Sequence, residues 1–387
     1  MMNRIVEAAH SGRPLYLLPY KEPKVWGIDG IGEYWYGAET GPKSSIAKAA
    51  GQTAPMADVV ANDPKEILGE YVVQKFGQKL PLVKILTPKG RLSVQFHDAK
   101  DELWIVTGID GSLAGEKACI ILGFSQEAVE KHGAYIIESY RQALESYGKV
   151  LNSLIDLLEF KGHQGLLEEK KDVALAAEEV EDPDIERYFD EFNTAQEELN
   201  SFYNYRPVEV GDVIPIPSGT LHALGAGIKV VEPQIPGPTQ SMEDGATYPV
   251  RYFFPGYSRK GAKKELDIFR VKEVSDGVTK EASPEVIKKT EAFTVEKLPG
   301  GFEKKGLAVN RVTIEKGREM EVPPAGSFHN LVVVRGKAGV MIGDEWFKIP
   351  KAEPGGEMMI IPATNTGYRI VSEESGTQVI DTFSPLQ

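Results

Sequence analysis

The sequence predicts a mainly β protein built as two β barrels, the first of them interrupted by a helical insertion. Three observations carry this expectation. Apolar runs of strand length, broken by Gly and Pro, fill residues 1–123. Near Ser125 the apolar spacing changes from alternation to steps of three and four, and it keeps that period to about residue 204. Short strands and turns then return and continue to the end of the chain. At 387 residues the chain exceeds what one hydrophobic core usually serves. The expected units are 1–125 (first part of the N-terminal barrel), 126–204 (helical insertion), 205–270 (second part of that barrel) and 271–387 (a linker and the C-terminal barrel).

In chain order, PLYLLP, VVQKFG, LPLVKIL, LSVQFH, LWIVTGI and ACIILGF read as strands. Ile136, Tyr140, Leu144, Tyr147, Leu151, Leu154 and Leu158 form the buried stripe of an amphipathic helix. Asp182-Pro183 caps a second helix, with Pro in its first turn and a stripe of Phe189, Phe192, Leu199 and Phe202. Strand patterns resume at VEVGDVIPIPSGTLHAL and GIKVVEPQ. IPGPTQSMEDGATYP then reads as a long loop, and KKELDIFRVKEVSDGVTKEASPEVIKKT as a charged connection.

Composition narrows the function classes. Lys plus Arg is 44 and Asp plus Glu is 57, a net charge of −13, which disfavours nucleic acid or an anionic membrane as partner. A small anionic substrate stays open, because it needs only a local cationic cluster. No apolar stretch reaches the roughly 18 residues of a membrane span, and MMNRIVEAAHSGRPLYLLPY lacks the pattern of a secretory signal, so a cytoplasmic location is expected. The single cysteine, Cys119, excludes internal disulfides and multi-thiolate metal sites, and reads as a small core hydrophobe.

The stretch RLSVQFHDAKDELW raises the question of chemistry. Leu92, Val94 and Phe96 fall on one strand face, and Arg91, Ser93, Gln95 and His97 on the other. A polar strand face usually meets water, and one such histidine is more often a surface or hydrogen-bonded residue than a ligand. A second stretch, GDVIPIPSGTLHAL, changes the balance. Gly211 lets the chain turn into a strand, Pro217 and Gly219 force a tight turn out of it, and His222 starts the next strand pointing inward. Gln95, His97, Glu102 and His222 together offer two imidazole nitrogens and two oxygens. That set suits one zinc ion per chain with an open position, and also admits manganese, iron, cobalt or nickel.

These residues carry a family resemblance. Gly211 to His222 matches the second signature of the cupin fold, and the whole set resembles the type I mannose-6-phosphate isomerases (phosphomannose isomerases). The matching motifs are IGEYW at Ile31 to Trp35, LPLVKIL, LSVQFH with Gln95 and His97, KDE from Lys100 to Glu102, PSGTLHAL with His222, and VVEPQ with Glu232 and Gln234. The resemblance implies cupin-like (jelly-roll) barrels and the ligand set Gln95, His97, Glu102 and His222. It implies an aldose–ketose isomerase that interconverts mannose 6-phosphate and fructose 6-phosphate, with Lys100 at the position of the family's active-site lysine. Glu33 and Glu232 are the expected substrate-side residues. The partner is a small phosphorylated sugar.

The chain also departs from the family pattern. After VVEPQ it has extra loop, EPQIPGPTQSMEDGATYPVRYF, with Pro249 where the active-site arginine belongs and Asp244 seven residues from Arg251. Residues 249 and 251 share a strand face, so Arg251 is the catalytic candidate there. This leaves two alternatives: a divergent isomerase of another sugar or sugar phosphate, and a non-catalytic, metal-containing sugar-binding cupin. Lys84, Lys89 and Arg91 are expected to add phosphate attraction. His10, His132 and His163 are expected at the surface without a partner. His329 sits where a C-terminal cupin places a ligand, but Gly367 occupies the position of the matching histidine, so the C-terminal barrel is expected to be metal-free.

Overall fold

The computed structural model describes residues 3–38, 43–97, 100–115, 117–170, 172–235, 239–241, 247–249, 252–253 and 282–386. The architecture is mostly β with a helical insertion, and its named strand pairs are antiparallel. Among the described residues the strands do not close into barrels. They form open sheets, chiefly of nine, six, five and four strands. Apolar side chains on both faces of the larger sheets favour stacking over closure.

The six-stranded sheet runs Tyr20–Ile28, Ile31–Tyr36, Leu82–Leu86, Ile228–Gln234, Glu102–Ile109, Val213–Ile216. Its residues sort by parity, as strand pleating requires. Tyr36, Val83, Ile85, Leu103, Ile105, Val213 and Val231 enter a core shared with the nine-stranded sheet. Leu86, Trp104, Val106, Ile214, Ile216, Ile228 and Val230 enter a different core, shared with the helices. Glu33, Lys84, Glu102, Glu232 and Gln234 have the parity of this second face, and all are buried. The five-stranded sheet contributes Gln95–Phe96, His222–Ala223 and Cys119–Phe124 to the same side.

The nine-stranded sheet unites the two ends of the chain. Leu15–Leu18 pairs with Met358–Ile361 on one side and with Ile46–Ala49 on the other. One face, with Leu15, Leu17, Val332, Ile360 and Ile380, meets the six-stranded sheet. The other, with Leu331, Val333, Met359, Ile361 and Val379, packs on the four-stranded sheet through Ala338, Val340, Tyr368 and Ile370.

The expected helical stripe is present. Ile136–Phe160 buries Ile136, Tyr140, Leu144, Tyr147, Leu151, Leu154 and Leu158. Asp182 caps Pro183–Asn200, its side chain accepting from the N–H groups of Asp184 and Ile185. Phe189 is only partly buried, and Phe202 lies just past this helix, buried beside Phe124. Two short helices, Gln164–Lys170 and Val173–Glu178, lie between the long ones.

Some strand readings are corrected. VVQKFG belongs to the helix Glu70–Phe76, the last of a group with Met56–Asn62 and Pro64–Leu68. Its valines are β-formers, but Gly69 and Gly77 delimit one helical turn pair, and Ile67, Leu68 and Val72 bury at helical spacing. Gly69 has φ +102°, and a Cβ there would lie 2.0 Å from the Gly326 carbonyl oxygen, so only glycine fits. The end of the charged connection, Glu285–Lys289, is an exposed edge strand paired with Phe293–Lys297, and its lysines suit an edge. Cys119 is half-buried rather than a core residue. No helix among the described residues is long and apolar enough to cross a membrane.

Candidate metal centre

Of the polar face singled out in RLSVQFHDAKDELW, His97 is buried, Ser93 and Gln95 are half-buried and Arg91 is exposed. His97 is buried at the end of the strand Gln95–Phe96, and Glu102 opens the strand Glu102–Ile109. His222 opens His222–Ala223, which pairs Gln95 on one side and Leu122 on the other. The glycines named from spacing adopt the backbone that their turn demands: Gly211 has φ +102° and Gly219 φ +85°. The N–H of Gly219 donates to the His97 carbonyl at 2.8 Å, which ties the two histidine segments together.

The donor atoms of His97, Glu102 and His222 lie within 4.8 Å of one another, and all three residues are buried. His97 Nε2 is 3.2 Å from Glu102 Oε1, and His222 Nε2 is 3.7 Å from Glu102 Oε2. The imidazoles meet edge to face at 5.0 Å. His222 Nδ1 is 2.8 Å from the Thr220 carbonyl. A carbonyl only accepts, so the proton sits on Nδ1 and the lone pair of Nε2 faces the carboxylate. Among the described residues, both ring nitrogens of His97 and Oε2 of Glu102 make no hydrogen bond. Buried polar atoms are normally satisfied. Two imidazole nitrogens and a carboxylate converging in this way fit a divalent metal ion. Gln95, the direct strand partner of His222, has its side chain on the same sheet face.

Electrostatics agree with that fit. Burial, and then the charge of Lys100, hold the His97 imidazole well below its usual range, so it is neutral with a lone pair to offer. Burial pushes the Glu102 carboxyl up. The charge of Lys100 outweighs it and holds the group well below the usual carboxylate range. Lys100 is itself buried and bonded to Glu102 Oε1.

A second charged layer lies beside this one. Lys84 is buried between Glu33 Oε2 at 3.4 Å and Glu232 Oε1 at 3.1 Å. It is therefore not a surface lure for phosphate, whereas Lys89 and Arg91 are exposed. Glu33 also accepts from Trp35 Nε1 at 2.8 Å and pairs with Lys24 at 3.3 Å. Glu232 accepts from Trp104 Nε1 at 3.1 Å, and the Trp104 ring meets His222 edge to face at 5.5 Å. Burial and then the Glu102 charge raise the Glu232 carboxyl, against Lys84 and Lys100.

Trp104 was not singled out from sequence, because a tryptophan in an apolar run signals only core. Gln234, buried in register with Glu102, was visible through the E-x-Q match. Arg251 and Asp244 lie outside the described residues. His10 is exposed, as expected, but it has a neighbour in Asp63 at 3.4 Å. His132 stacks on Phe202 at 4.9 Å. His329 Nδ1 meets Asp381 Oδ2 at 2.9 Å in the C-terminal half.

Comparison with known proteins places these observations. Residues 15–117 match the family model described as phosphomannose isomerase type I, catalytic domain. The mannose-6-phosphate isomerase of Escherichia coli (strain K12) is 36% identical over 70 residues, which is 18% of this chain and 18% of that protein. The Salmonella typhimurium mannose-6-phosphate isomerase is 34% identical over 70 residues, with the same 18% of each chain covered. The matched stretch thus spans less than a fifth of these relatives. The fold match is wider. The mannose 6-phosphate isomerase of Bacillus subtilis superposes with a TM-score of 0.59 at 18% identity, over 95% of this chain and 99% of its own. A zinc-bound mannose 6-phosphate isomerase gives 0.63 at 16% identity, over 96% of this chain and 99% of its own.

Proposed function

We infer function from a resemblance that holds in both sequence and fold: this chain is similar to the type I phosphomannose isomerases, through residues 15–117 and through a fold shared over nearly its whole length. The proposed activity is the zinc-dependent interconversion of mannose 6-phosphate and fructose 6-phosphate. The carrying observation is the buried convergence of His97, Glu102 and His222. Those three, with Gln95, would hold the ion. Its chemistry there is Lewis-acid support of the sugar oxygens as negative charge develops on them.

The isomerisation moves a proton between C2 and C1 through an enediol, and the chain supplies groups to hold it. Lys100, bonded to Glu102, and Glu232, whose carboxyl is raised by burial, flank the ligands. Lys84 fixes Glu232 and Glu33 as one unit, which keeps these carboxylates oriented. Trp104 fills the space beside His222 and keeps water from the imidazole. Arg251 is the candidate cation for the sugar phosphate, and a cytoplasmic location fits such a substrate.

The test is conversion of mannose 6-phosphate by the purified full chain, before chelation, after it, and after zinc is restored. Turnover that chelation abolishes and zinc restores is the expected result. Full turnover and zinc content in His222→Ala would overturn the site assignment. Zinc at one per chain without turnover on this sugar phosphate would move the function to another sugar phosphate or to binding.

A further inference from the structure

The segment bearing Lys100 and Glu102 is anchored from the far half of the chain, and we infer that Lys305 is a positioning residue for the proposed metal ligands, acting through Asp101. This rests on the metal reading of the site. Asp101 is 4% exposed and touches three segments. Its Oδ1 accepts from the Ser218 N–H at 2.9 Å, in the turn that delivers His222. Its carbonyl accepts from the Ile235 N–H at 3.2 Å, just past Glu232 and Gln234. Its Oδ2 pairs with Lys305 Nζ, 204 residues away in sequence.

Lys305 is presented from a packed turn. Phe302, at the start of the 3-10 turn Phe302–Lys305, is buried in the core between the six- and nine-stranded sheets. Gly306, at φ +89°, lies so close to the Phe76 ring that a Cβ would sit 2.8 Å from it. The Ser384 hydroxyl donates to the Gly306 carbonyl at 2.8 Å. The ammonium therefore approaches Asp101 from a fixed support, although its side chain is half-exposed.

Within the site, Lys100 is engaged with Glu102, so the Asp101 charge is met by Lys305 and one amide. Removing the Lys305 charge leaves a buried carboxylate with a neutral partner. Such a group turns toward water, and that turn releases the Ser218 N–H. The turn Pro217–Thr220 then loosens, and with it the Thr220 carbonyl that orients His222.

The experiment uses the full chain with Lys305→Met, Lys305→Arg and, as a neighbour control, Lys304→Met. Zinc retention against a chromogenic chelator is expected to weaken about 10–100-fold in Lys305→Met, to return in Lys305→Arg and to stay unchanged in Lys304→Met. In chelator-stripped protein, amide exchange over Ser218 to His222 is expected to quicken in Lys305→Met alone. Wild-type exchange in Lys305→Met overturns the inference, as does a zinc loss that Lys304→Met reproduces. If the wild type takes up no zinc, the metal reading fails while the exchange comparison still decides the role of Lys305.

Discussion

Glu102 gathers opposing demands at one position: full burial, a lysine on one oxygen and two imidazoles around it. Burial alone keeps carboxylates neutral, so it is the Lys100 charge that makes Glu102 an anion. The same burial keeps His97 neutral, which sets a sign for pH dependence. The unfolded imidazole binds a proton near 6.5, while the folded one does so only well below that. Between those values the unfolded chain holds more protons, so acidification favours unfolding. The His97 contribution is full above about 6.5 and is lost as pH falls toward its folded value. In metal-free protein, the drop in melting temperature from pH 7.5 to 5.5 should be larger for wild type than for His97→Gln. Equal drops would remove His97 from the explanation.

At the scale of elements, the helix Ile136–Phe160 matters through what its stripe touches. Tyr140 meets the Phe124 ring at 5.2 Å, and its hydroxyl lies 3.2 Å from that of Tyr203. One core then runs from this helix to Trp104, which contacts His222. Leu154 is fully buried in that core and Phe160 is 87% exposed at the helix end. Leu154→Ala should cost about 2–5 kcal/mol in denaturant unfolding. Phe160→Ala should stay within about 0.5 kcal/mol. Similar losses for both would contradict the assigned face of the helix.

The whole molecule is stitched by the nine-stranded sheet, in which Leu15–Leu18 pairs with Met358–Ile361. The core between the six- and nine-stranded sheets draws Val83, Ile85, Leu103 and Ile105 from the strands Leu82–Leu86 and Glu102–Ile109 and Val309, Val332, Ile360 and Ile380 from the C-terminal part. A chain ending at residue 253 would expose that core and lose the Lys305 contact. It is expected to lack a cooperative melt and near-UV circular dichroism. A cooperative transition in that piece would show that its N-terminal part folds without the rest.

Much of this was legible in the sequence because it is written in local periods. The strand-length apolar runs LPLVKIL and LWIVTGI, the three-four stepping from Ile136 to Leu158, and Asp182-Pro183 at a helix start need only neighbouring residues to be read. His97, Lys100 and Glu102 were legible through motif spacing, as were Gly211 and Gly219, whose positive φ follows from turns that other residues adopt poorly. Only the tertiary structure decided the rest. Whether VVQKFG is strand or helix depended on what its apolar residues pack against, and valine propensity was overridden there. Lys84 between two glutamates, Trp104 against His222 and Lys305 on Asp101 are contacts between residues far apart in the chain. No single-chain period records such a pairing, because its energy exists only once the sheets have stacked and water has left.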